Sequence, residues 1–73
     1  MLSDTEVGKI VDGVAKKKGW NVFVAAHRPQ TSDTNLVIRV SGGVHKSFEF
    51  VMDTDATADD VRAKAEQIFG VQP

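Results

Sequence analysis

The chain has 73 residues, with 9 Lys and Arg set against 10 Asp and Glu and no cysteine. That excludes a disulfide framework, a thiolate nucleophile and a cysteine zinc site, and the near-cancelling charge gives no field that would announce a nucleic-acid or acidic partner. A single domain over residues 1–73 is expected, and at roughly 0.05–0.15 kcal/mol per residue its net stability of about 4–11 kcal/mol leaves little for a strained, buried active site.

The start, MLSDTEVGKI, has no basic segment followed by an apolar run, and no apolar run approaches a membrane span. A small secreted domain normally needs covalent staples, so the expected compartment is the reducing cytoplasm. Ser3 and Glu6 have the S-x-x-E spacing of a capping box, with Leu2 and Val7 placed as a hydrophobic staple. Val7, Ile10, Val11 and Val14 then recur on one helical face. Lys16, Lys17 and Lys18 oppose the negative end of the dipole and Gly19 suits the left-handed stop, so a helix is predicted over 4–18. Gly8 and Gly13 lie inside it at about 1 kcal/mol each relative to alanine, which suggests close backbone approach or simple tolerance.

Trp20–His27 is a β-branched and aromatic run and reads as a strand. Trp20, Val22, Val24 and Ala26 form its core set, with Asn21, Phe23, Ala25 and His27 on the other face. The polar segment 27–35 contains Pro29, which ends strand pairing, and is longer than an ordinary hairpin loop. It is a candidate binding loop. Leu36, Ile38 and Val40 alternate with Val37 and Arg39 in a second strand. Val44, Phe48, Phe50 and Met52 alternate with His45, Ser47 and Glu49 in a third, where Lys46 interrupts the apolar set. A two-residue Gly-Gly turn would put the two apolar sets on opposite faces. A three-residue loop, Ser41-Gly42-Gly43, restores the match and supplies glycine at the left-handed bulge position. It predicts Val40 opposite Val44, Ile38 opposite Lys46 and Leu36 opposite Phe48.

After the acidic link 53–56, Thr57 caps a last helix with Asp59 and Asp60 in its first turn. Val61, Ala65, Ile68 and Phe69 make its apolar face, Asp60–Lys64 and Arg62–Glu66 are expected surface pairs, and Gly70 followed by Val71 is its expected left-handed stop. The expected fold is α+β: a two-layer α-β-β-β-α domain whose three-stranded antiparallel meander carries both helices on one face.

The other face stays open. Phe23 with Val37 and Val51 would form an apolar centre rimmed by Arg39, His45 and Glu49, which is the anatomy of an interface. The candidate interaction residues are therefore Phe23, His27, Arg28, Val37, Arg39, His45 and Val51. They suggest a small non-enzymatic module that binds a protein partner, or forms a homo-oligomer, with no cofactor or metal. His27 and His45 are the sole candidates for acid–base work, and neither has the partner spacing of a triad or a third ligand for zinc.

The α-β-β-β-α order resembles that of double-stranded-RNA-binding domains, and Gly43-Val44-His45-Lys46-Ser47-Phe48 is similar to their Gly-Pro-x-His…Phe segment. That resemblance implies nucleic-acid binding, with Lys9, Lys16, Lys17, Lys18 and Arg28 as phosphate contacts. Their lysine-rich start of the last helix has no counterpart here, because residues 53–60 are acidic. Gly19-Trp20 after a first helix resembles small ribonuclease toxins of the same fold. Where those carry Gly-Ser-His, this chain has Ala25-Ala26-His27, which implies His27 as the catalytic candidate of a more remote, ribonuclease reading.

Overall fold

The computed structural model describes residues 2–29, 35–42 and 47–70. Its order is α1 (Asp4–Lys17), β1 (Phe23–His27), β2 (Asn35–Ser41), β3 (Phe48–Asp53) and α2 (Ala58–Phe69). The strands form an antiparallel meander, β1-β2-β3, and the two helices pack against each other and on one face of it.

Local chemistry sets the helix ends. Ser3 N–H donates to Glu6 Oε1 at 3.0 Å and Glu6 N–H donates to Ser3 Oγ at 3.1 Å, completing the expected box. Those hydrogen bonds, backbone first, hold the Glu6 carboxyl below its ordinary pKa. Leu2 packs against the core beside buried Val7, as a staple requires. α1 stops at Lys17, one residue short of the predicted end. Gly19 adopts φ +90° and Trp20 N–H donates back to Ala15 O at 2.9 Å. That return ties Trp20 to the helix end, so the ladder starts at Phe23 and not at Trp20.

α2 carries a second capping box, beyond the Thr57 cap expected from the sequence. Thr57 N–H donates to Asp60 Oδ2 and Asp60 N–H donates to Thr57 Oγ1, each at 3.2 Å. Asp60 is thereby used by the cap, and Arg62 turns to Asp59 at 3.0 Å. Gly70 closes α2 with φ −70° and right-handed geometry, so its expected left-handed role is corrected. Val71 lies outside the described residues.

Leu36, Ile38 and Val40 of β2 are buried beneath Val7, Val11 and Val14 of α1 and Val61, Ala65 and Phe69 of α2, in one core. Phe69 joins the layers: its ring meets Trp20 edge-on at 5.2 Å and Phe48 at 6.2 Å.

The β2–β3 register corrects the expected one. Val40 faces Phe48, Ile38 faces Phe50 and Leu36 faces Met52. The partner of Val40 moves from Val44 to Phe48, an even shift that keeps every side chain on its predicted face. It removes Lys46 from the place opposite buried Ile38 and gives Phe50 and Met52 partners in β2. Lengthening a loop from three residues to seven adds under about 1 kcal/mol of closure entropy. Burying an additional Phe or Met is worth about 1.5–3 kcal/mol when complete, and these side chains are half-buried. Packing wins over the short turn. The left-handed glycine of the connection is Gly42, at φ +100°, and Gly43 lies outside the described residues.

Gly8 is buried against β1, but an added Cβ would lie 4.0 Å from Val24 O, and at Gly13 it would meet nothing. Alanine at either position should therefore stabilise the fold by about 0.5–1 kcal/mol in urea unfolding. Alanine at Gly19, where φ is +90°, should destabilise it. A loss of stability at Gly13 would contradict this packing.

Candidate interaction surface

The strand alternation that turns Val24, Ala26, Ile38 and Phe50 inward sends the odd-numbered positions outward. Cross-strand rows then fix which outward residues are neighbours. His27, Val37 and Val51 form one row, Ala25, Arg39 and Glu49 the next, and Phe23 faces Ser41 beyond it. Phe23 is 78% exposed and Val51 56%, the large hydrophobics exposed among the described residues.

This layout changes the expected surface. Val37 and Val51 lie directly opposite each other. Phe23 is four strand positions from their row, about 13 Å at the rise of a strand. Between them lies an ion pair, with Arg39 Nη2 at 2.7 Å and Arg39 Nε at 2.9 Å from Glu49 Oε2. The charges occupy the middle of the face and the apolar groups its two ends, the reverse of an apolar centre with a polar rim. Glu49 is opposite Arg39, and Asn35 faces Asp53. Both partners of the ion pair are well exposed, so it contributes under about 1 kcal/mol to stability.

The exposed Phe23 ring has a local support. An added Cβ on Gly42 would come within 3.0 Å of Phe23 Cδ2, so the ring lies over a glycine whose lack of a side chain makes room for it. His27 is exposed at the end of β1. His45 lies outside the described residues, as do residues 30–34 of the candidate loop. Among the described residues no group of three His, Cys, Asp or Glu side chains could hold a metal ion. No helix among them is long and apolar enough to cross a membrane.

Arg28 sits elsewhere. Its guanidinium turns away from the open face, forms an ion pair with Asp4, and donates to Leu2 O at 2.8 Å and Thr54 O at 3.2 Å. One fork thus ties the start of α1, the end of β1 and the turn after β3. Its Nε is buried without a hydrogen-bond partner. The partners lie 24 and 26 residues away, which is why spacing along the chain gave no sign of them.

The cations expected to contact phosphates are also divided. Lys16 Nζ holds Asp12 Oδ1 at 2.6 Å, whereas Lys9, Lys17, Lys18 and Arg62 line a groove between α1 and α2, over Ile10 and Val14 and beside Glu66. No protein-family model, curated protein or solved structure matches the chain.

Removing the Arg28 fork leaves a carboxylate and two carbonyls to find other partners. Arg28→Ala should destabilise the fold by about 2 kcal/mol in chemical unfolding, and Arg28→Lys should recover only part of it, since an ammonium cannot reproduce the fork. Unfolding midpoints equal to the parent chain would show that the clamp carries no stability.

Proposed function

We propose that the chain is a small, non-enzymatic interaction module that binds a protein partner, a second copy of itself included, through the open face of its sheet. The observation that supports this reading is the placement of Phe23 and Val51, both well exposed and both on that face. Interface anchors are typically aromatic side chains set among groups that fix orientation. Phe23 and the Val37–Val51 pair are the two apolar contacts, and the Arg39–Glu49 pair between them gives direction. A complementary partner places apolar groups at two points about 15 Å apart, four positions along the strands and one and a half strand spacings across them, and polar groups between.

Phe23→Ala and Val51→Lys probe the two ends separately. Each should weaken association about tenfold or more, with the partner retained by the immobilised parent chain or with the chain itself, at an unchanged melting temperature. Association equal to the parent in both variants would reject this face.

A further inference from the structure

Gly13 is a glycine that the fold does not require. It stands inside α1, where only proline is a poorer helix former. Its φ is not positive, and an added Cβ would meet nothing within 4 Å. Neither a left-handed turn nor close packing within the chain therefore accounts for it. The open space beside it is the groove between α1 and α2, of about 290 Å³. A glycine on such a groove lets an occupant approach the helix backbone.

The lining of the groove has two parts. Ile10 and Val14 flank Gly13 and give an apolar floor, with Val14 buried and Ile10 half-buried. Lys9, Lys17, Lys18 and Arg62 surround it, with Glu66 the sole acid among the residues that line it. Four cations against one acid is a local excess on a chain whose formal net charge is −1. Lys17 and Lys18 also offset the dipole of α1, but Lys9, in the middle of the helix, does not. None of the three lysines makes an ion pair among the described residues, and Arg62 is held by a well-exposed Asp59, a weak contact. Each lysine can turn its ammonium over the groove on a flexible stem.

Size and polarity narrow the occupant. One turn of a partner helix, about 10 Å across and about 5.4 Å long, fills more than the groove holds, so a helix is too bulky to enter it. A flat bilayer surface would meet the cations and stop short of buried Val14. A nucleic-acid strand would ask for stacking platforms or polar contacts to its bases, and the floor has neither. An alkyl chain can lie along Ile10, Gly13 and Val14 while an anionic head meets the lysines. Apolar contact and charge complementarity then act on one molecule.

We infer that the groove between α1 and α2 binds a free anionic amphiphile, its alkyl chain over Gly13 and its head among Lys9, Lys17 and Lys18. This site lies on the helical layer, apart from the open sheet face, and does not depend on what that face binds.

Decanoate below its micelle concentration is the probe, with acetate as the head without the chain and decanol as the chain without the head. Calorimetric titration should give saturable one-to-one binding of decanoate, at least tenfold tighter than either control, and decanoate should raise the melting temperature. Gly13→Leu places a side chain in the groove where it meets no neighbour, so the variant should still melt cooperatively and bind decanoate at least tenfold more weakly. Lys9→Gln combined with Lys17→Gln should weaken decanoate binding about tenfold and leave decanol unchanged. Decanol bound as tightly as decanoate would overturn the inference. So would binding unchanged in a folded Gly13→Leu chain, or decanoate that lowers the melting temperature. Should Gly13→Leu fail to fold, amide shifts in the parent chain decide: they should move at Ile10, Gly13 and Val14. Shifts at Phe23, Val37 and Val51 in their place would move the site to the open sheet face and overturn it. Adsorption to anionic vesicles without binding of monomeric decanoate would also overturn it, assigning these cations to a membrane surface.

Discussion

The fold depends on where β3 lies against β2. β2 is the central strand, and its inward residues Leu36, Ile38 and Val40 are almost wholly buried. Each must face an apolar neighbour, since a lysine held opposite Ile38 would have to leave its ammonium in an apolar site or snorkel out of it. Placing Phe48, Phe50 and Met52 opposite the three β2 residues satisfies that demand. It also brings Phe48 within reach of Phe69, the residue through which α2 meets the sheet and Trp20. The longer connection is a minor loss beside this gain, because loop closure grows only with the logarithm of length.

The same register decides the outer surface. Setting Val37 opposite Val51 and Arg39 opposite Glu49 divides the apolar groups into two separated points with an ion pair between them. No freedom remains to bring Phe23 to the valines, because strand pairing fixes their separation. The Arg28 fork adds a second constraint, joining three chain segments at the end of the sheet where the α1 dipole begins. Asp4, its ionic partner, stands in the first turn of α1, so the carboxylate meets both the guanidinium and the positive helix end.

Much of the fold was legible because it rests on local rules. Ser3 with Glu6 and the valine periodicity specified α1, Gly19 its stop, and the alternation of each strand its buried face. Parity of the hairpin was legible for the same reason. Its absolute register was not: even shifts of β3 all keep the faces, and choosing among them needs the energy of burying Phe50 and Met52 weighed against a preferred short turn. The Thr57–Asp60 box is local and its residues were in view. Spacing offers Asp60 to Lys64 as well as to the cap, two weak interactions competing for one carboxylate, and the cap holds it. The place of Arg28 was not legible for a different reason, since its partners are remote in sequence and nothing nearby distinguishes a solvated loop arginine from a buried fork. Of the outward residues, the face of Phe23, His27, Val37, Arg39 and Val51 followed from alternation, whereas their mutual placement waited on the register.

The central claim is that register, and cross-strand proton–proton contacts in nuclear magnetic resonance test it most directly. The account predicts contacts between Val37 and Val51, Arg39 and Glu49, and Ile38 and Phe50 across the β2–β3 ladder. Contacts that pair Leu36 with Phe48, leaving Phe50 and Met52 without partners in β2, would contradict it.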